Sequence, residues 1–257
     1  MASKESLNTV QELYISYYQR PADPTGLVYW ANRLDTGTSL KDVEAAFGNS
    51  PESQALYGPI NDATIGNVVD QIYLALFDRS PDAAGKAFYV DGFKAGKFTP
   101  ASIAYDILIG AQNDDAVAVL NKTTASDVFT QTVDGRTFAD PNFGQGTQFA
   151  ATYSGDADAV AARGWLGDVT SSPTTVPSQA QTTEFIQNSI ANPGDPILAE
   201  TAGKTFTLTT GIDNIVGTAN NDTVNGDSTT FTNLDQINGA GGTDTFNWAN
   251  AGGKGSP

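Results

Sequence analysis

From Ser6 onward apolar residues return at spacings of three and four. Val10, Leu13, Tyr14, Tyr17 and Tyr18 form one stripe, which predicts an amphipathic helix. The stripe breaks between Gln19 and Pro24, where Asp23-Pro24 supplies an N-cap followed by proline at the first helical position. A second helix carrying Leu27, Trp30, Ala31 and Leu34 is predicted up to Gly37, and Ser39 opens a third with Val43, Ala46 and Phe47 inside. The pattern then returns: Tyr73 to Gly85 lies over Tyr14 to Gly26, Phe88-Tyr89 answers Tyr29-Trp30, Phe93 answers Leu34, Gly96 answers Gly37, and Ile103 and Ile107 answer Val43 and Phe47. This is an internal repeat of helix, tight turn, helix, loop, helix, spanning about 10–55 and 69–115. Arg20/Asp23 and Arg79/Asp82 fall at the same turn of both copies, the position of capping and loop-pinning residues.

Further helices are predicted over 125–132, 157–169 and 179–190; Asp114-Asp115 and Asp156/Asp158 sit at expected helix starts, where negative charge suits the helix dipole. Asn192-Pro193-Gly194-Asp195-Pro196 ends helix formation, and Thr, Val, Ile, Gly, Asn and Asp then dominate. A domain boundary is expected between Asn192 and Gly203, and the alternation Thr205-Phe206-Thr207-Leu208 predicts a strand. The expected fold is mainly α: a helical-repeat N-terminal domain, residues 1–195, followed over 203–250 by the start of a calcium-binding parallel β-roll.

The roll is read from two matching stretches. Asp213-Asn214-Ile215-Val216-Gly217 runs through Asn220 to Asp222, and Asp235-Gln236-Ile237-Asn238-Gly239 runs through Gly242 to Asp244. In each, two aspartates lie nine positions apart, a β-branched residue follows the first by two, and a glycine opens the turn. Nine is the period of calcium-binding β-roll repeats. Glycine-rich turns can aim several carbonyls at one hard cation, and the closing aspartate adds charge. The Ile or Val two after each Asp is expected to fill the roll. Asp222 to Asp235 is not a multiple of nine, so the roll is expected to be interrupted there.

Composition narrows the chemistry. The 257 residues include neither cysteine nor histidine, which removes Ser-His and Cys-His nucleophiles, imidazole acid-base work and the usual zinc sites. No nucleophile elbow, Walker loop or dinucleotide fingerprint is present, so no enzyme activity is expected. A formal charge of −16 argues against nucleic-acid binding and suits a calcium-rich exterior. No apolar run approaches the ~20 residues of a membrane span, so no membrane insertion is expected. No cleaved secretory signal is visible either, which points to a secretion signal elsewhere and to a piece of a longer protein. Aromatic residues are dense in the helical part; most belong to its core stripes, and Tyr18, Tyr29, Trp30 and Tyr89 are candidates for stacking on sugar rings.

The two Y-x-x-x-[FY]-x-R-x-x-D-x-x-G-x-x-[FY]-[WY] copies, the Ala161-Ala162-Arg163-Gly164-Trp165-Leu166 stretch, and Leu208 to Asp213 running into Gly217 to Thr223 carry a resemblance. The chain resembles the N-terminal region of Caulobacter-type bacterial surface-layer (S-layer) proteins, with repeats-in-toxin-like calcium motifs. That resemblance implies type I secretion, a cell-surface location, a helical domain that anchors a structural lattice to lipopolysaccharide O-antigen, and calcium-dependent self-assembly. It places the metal on Asp213, Gly217, Asn220, Asp222, Asp235, Gly239, Gly241, Gly242 and Asp244. The alternative function is a secreted calcium-binding adhesin or toxin-like protein.

Overall fold

Ser3 accepts a hydrogen bond from the Ser6 amide and starts α1 (Lys4–Leu13), which passes directly into a π-helical turn, Tyr14–Tyr18. Gln19 stops that turn in the left-handed conformation (φ 57°). Asp23 caps α2 (Pro24–Asp35) by accepting from the Gly26 amide at 2.6 Å, and Ser39 and Ser50 cap α3 (Leu40–Gly48) and α4 (Pro51–Tyr57) in the same way. The plan then repeats in α5 (Ile65–Phe77), α6 (Ala83–Lys94) and α7 (Ile103–Ile109). Asp78 takes the left-handed place of Gln19 (φ 53°), and Asp82 caps α6 through the Gly85 amide at 2.7 Å.

The computed structural model describes residues 2–145, 150–190, 205–216, 222–239 and 244–249. Among them the chain is mainly helical with a small parallel β unit, and it divides into two compact units, Met1–Asn192 and Pro193–Pro257. The stretch where a domain boundary was expected, 192–203, lies outside the described residues. No helix among the described residues is long and apolar enough to cross a membrane.

In the helical unit the repeats pack on α8 (Asp114–Asp134), one continuous helix of 21 residues that touches α1, α2, α5, α9 (Gly155–Gly167) and α10 (Gln179–Ser189). The expected helix over 125–132 is thus the C-terminal part of a longer one. Phe47 lies at the centre of an aromatic cluster, fully buried, with the rings of Tyr14, Tyr17, Tyr18 and Trp30 at centroid distances of 5.0–5.9 Å.

In the second unit, β1 (Thr205–Thr207), β2 (Asn214–Val216) and β3 (Thr223–Asp227) begin nine residues apart, as do β4 (Gln236–Asn238) and β5 (Thr245–Ala249). Successive strands alternate between two parallel sheets, β1-β3-β5 and β2-β4. Leu208, Ile215 and Val224 bury together against Phe206, whereas Ile237 and Phe246, the residues two after Asp235 and Asp244, are 36% and 43% exposed. The expected interruption after Asp222 does not occur. Thr223 pairs with Thr245 and Asn214 with Gln236, both 22 residues on, so the parallel register continues. The extra residues fold into a turn after β3, where Asp227 Oδ1 accepts from the Thr229 and Thr230 amides at 2.7 and 3.0 Å.

Candidate functional site

Four of the described aspartates of the β unit stand in two stacked pairs. Asp213 lies below Asp235, with its amide donating to Asp235 Oδ1 at 2.9 Å and its carbonyl accepting from the Gln236 amide at 2.9 Å. Asp222 and Asp244 repeat the arrangement: the Asp222 amide donates to Asp244 Oδ1 at 2.9 Å, and the Asp222 carbonyl accepts from Thr245 at 2.8 Å. Nine-residue spacing within a coil and 22-residue register between coils together bring each pair into contact.

The pairs differ in their remaining partners. The Asp213 carboxylate also accepts from the Thr209 amide at 2.8 Å and the Thr209 hydroxyl at 3.0 Å. Asp235 accepts from the Thr232 amide at 2.7 Å and hydroxyl at 3.1 Å. Amide donation from Thr232, then from Asp213, holds the Asp235 carboxyl below the ordinary carboxylate range. Asp222 is buried, and a methyl group added to Gly239 would fall 1.9 Å from Asp244 Oδ2, so the Asp244 carboxylate lies where only glycine leaves room. A cavity of about 150 Å³ next to this pair is lined by Phe206, Ile215, Asp222, Ile237, Gly239 and Asp244, among others.

The carboxylates of the two pairs supply oxygen atoms, the kind of ligand that a hard cation takes. Among the described residues no group of three or more acidic side chains converges on one point. Gly217, Asn220, Gly241 and Gly242, the other expected ligands, lie outside the described residues.

In the helical unit the four aromatic candidates are separated by burial. Tyr29 is 51% exposed, with Arg33 Nη1 donating to its hydroxyl at 3.1 Å. Tyr18 and Trp30 are partly buried against Phe47. Tyr89 is buried beside Tyr73 and Phe98, and its neighbour Phe88 is the exposed ring of that copy, with Lys97 Nζ at 4.2 Å from the ring centroid. Sequence reasoning missed a surface groove of about 390 Å³ lined by Gly48, Asn49, Ser53, Gln54, Pro59 and Pro100, among others. Its lining carries amides and a hydroxyl but no charge. Asn49 and Pro100 come from different repeat copies, so no local motif signals it.

The repeated arginines hold their own turns. Arg20 makes a two-pronged ion pair with Glu52 at 2.8 and 2.9 Å and donates to Pro21 O and to Tyr153 Oη, both at 3.1 Å; Arg163 adds a second guanidinium to Glu52 at 2.7 Å. Burial is the largest single influence and would lower the Arg20 pKa, but the Glu52 hydrogen bonds, together with the electrostatic pull of Tyr153, Glu52 and Tyr14, outweigh it and hold the group above its ordinary value. Arg79 repeats the geometry with Asp115 at 2.8 and 2.6 Å and with Ser80 O at 3.0 Å, in the open: its side chain is 44% exposed against 13% for Arg20.

Several carboxylates of this unit are strained by burial. Glu44 is pushed up to about 7 by burial and by Asp106, with Lys41 opposing. Asp127 is pushed up to about 7 by burial, with Lys4 opposing and Glu12 adding. Because the folded state keeps protons that the unfolded chain has lost, stability is expected to fall as pH rises from the ordinary carboxylate range through 7. Thermal unfolding at pH 5 and pH 8 checks this: the lower pH should give the higher midpoint, and Glu44→Gln should shrink the difference.

Comparison with known proteins is sparse. A domain of unknown function, DUF4214, matches residues 4–57, which is the first repeat copy through α4. No curated protein and no solved structure matches the chain.

Proposed function

We propose that the chain is a structural, calcium-dependent protein of a bacterial cell surface, whose helical unit attaches it non-covalently to lipopolysaccharide O-antigen and whose β unit begins a calcium-bound roll and a self-assembling lattice. The observation that carries this reading is the stacking of Asp222 on Asp244, set by nine-residue strand spacing in parallel register and closed by a glycine that no other residue can replace without displacing Asp244. Calcium bound there would neutralise carboxylates of successive coils and tie one coil to the next. The uncharged groove at Asn49, Ser53 and Gln54 supplies hydrogen-bonding groups suited to sugar hydroxyls, and the exposed Tyr29 ring supplies a stacking face.

Attachment to cells that carry or lack O-antigen tests the reading. The chain should bind only the former, and Asn49→Ala with Gln54→Ala should weaken binding while leaving thermal stability within ~1 kcal/mol of the unaltered protein, as for most exposed substitutions. Equal attachment to both cell types would contradict it, and calcium binding without any glycan response would move the function to that of a calcium-binding adhesin.

A further inference from the structure

We infer a head-to-tail contact between copies of this chain, in which Tyr29 and Arg33 on α2 of one copy seat on the open turn of the second repeat, Arg79 to Asp82, of the next. This goes beyond the reading above, which assigns self-assembly to the β unit, and it needs neither calcium nor glycan.

The first repeat shows what such a turn holds. Its Pro21 carbonyl accepts from Arg20 Nη1 at 3.1 Å and from the Tyr153 hydroxyl at 3.0 Å. The Arg20 guanidinium lies over the Tyr153 ring at 5.4 Å, and Arg163 brings a second guanidinium to Glu52, the carboxylate that grips Arg20. A tyrosine and a second arginine therefore cover the turn. The second repeat rebuilds the turn without the cover. Arg79 lies over Tyr73 at 5.3 Å, as Arg20 does over Tyr14, and donates to Ser80 O and to Asp115. Among the described residues no tyrosine hydroxyl reaches Ser80 O, and no second cation pairs with Asp115. Leu74, in the last turn of α5, and Leu120, in the second turn of α8, stand exposed, whereas their counterparts Ile15 and Tyr57 are buried.

A second copy supplies the missing cover from one place. Of the nine tyrosines, all among the described residues, Tyr29 alone is exposed. Its hydroxyl accepts from Arg33 Nη1 at 3.1 Å, one helical turn on, so its own proton is left to donate, as the Tyr153 proton goes to Pro21 O. Arg33 is exposed on the same face of α2 and brings the second guanidinium, which the carboxylates of Asp115 and Asp82 attract. The counterpart of Tyr29 in the second repeat is Phe88, which has no hydroxyl. Each copy thus offers one such pair and one such turn, on different repeats. A contact of this kind is heterologous and continues from copy to copy as a ring or a filament. The two uses of Tyr29 exclude one another: a ring seated in the turn no longer faces sugar, and glycan binding by assembled copies falls to the groove at Asn49, Ser53 and Gln54.

Sedimentation of the full chain in buffer that contains a calcium chelator and no glycan tests the contact apart from the β unit. The unaltered chain should form growing oligomers as its concentration rises to the millimolar range. Tyr29→Ala with Arg33→Glu, and separately Arg79→Ala, should each stay monomeric while keeping the thermal midpoint of the unaltered chain, since these side chains stand in water. Mixed together, the two variants should form a one-to-one dimer and nothing larger, because one supplies the intact turn and the other the intact Tyr29. Tyr29→Phe, which keeps the ring, should weaken association several-fold through the loss of one hydrogen bond. A chain that is monomeric at millimolar concentration, oligomers that persist in either variant, or a mixture that stays monomeric would overturn the head-to-tail contact. Each of these outcomes leaves calcium and glycan binding to their own tests.

Discussion

Phe47→Ala is expected to destabilise the helical unit by about 4 kcal/mol, a drop in unfolding midpoint on the order of 10 °C for a unit of this size. Phe47 has no exposed surface. Its ring is stacked on Tyr18 at 5.0 Å and 18°, meets Tyr14 nearly edge-on at 5.2 Å, and contacts Trp30 at 5.5 Å and Tyr17 at 5.9 Å. The four rings around this phenylalanine cannot simply close over the void, because two of them, Tyr17 and Tyr14, are held by hydrogen bonds to Ala101 O and Asp23 Oδ2. Phe47→Leu should recover more than half of the loss. Chemical denaturation followed by far-ultraviolet circular dichroism measures both, and a cost under 1 kcal/mol for Phe47→Ala would contradict the placement of this ring at the centre of the core.

Glu52→Ala is expected to cost about 3 kcal/mol, and Asp115→Ala, the same substitution in the second repeat copy, under about 1 kcal/mol. Both remove the carboxylate that holds a turn arginine at two points. Losing Glu52 strands two guanidiniums in a partly dry site, Arg20 over the ring of Tyr153 and Arg163 beside it on the same carboxylate. Losing Asp115 leaves Arg79 facing water, which solvates it. Equal losses at the two positions would show that burial does not set the strength of this repeated ion pair.

The repeat was legible because its signals are local. Apolar spacing, the Asp N-caps and Gly37 and Gly96 at the helix ends recur in order, and each has a mechanical role at its own position. The full length of α8 was hidden for the opposite reason. Its buried positions include Lys122, Thr123, Ser126, Thr130 and Asp134, so helix faces turned to five neighbours carry little hydrophobic periodicity. Lys122 shows how such a residue is accommodated: its ammonium donates to Leu166 O at 2.7 Å near the end of α9, and burial pushes its pKa down to about 8. The π turn at Tyr14–Tyr18 was equally silent, since tyrosines spaced by three and one fit an α-helix as well.

In the β unit the nine-residue period announced the strands, and the departure from it after Asp222 suggested a break. Register in parallel strands depends on which residues pair, and a turn can absorb extra residues when its own side chains cap it, as Asp227 does. Aspartate spacing does not show how each carboxylate is held; the Thr209 and Thr232 amides and hydroxyls that bond Asp213 and Asp235 come from the fold.

Hydrogen exchange of the intact chain with and without millimolar calcium tests the central claim most directly. Calcium should slow exchange across 205–216, 222–239 and 244–249 and leave the helices of residues 4–189 unchanged, because a ligand that binds only the folded β unit stabilises that unit by about 2.7 kcal/mol at a hundredfold excess over its dissociation constant. Unchanged exchange across the strands at millimolar calcium would contradict a calcium-bound roll.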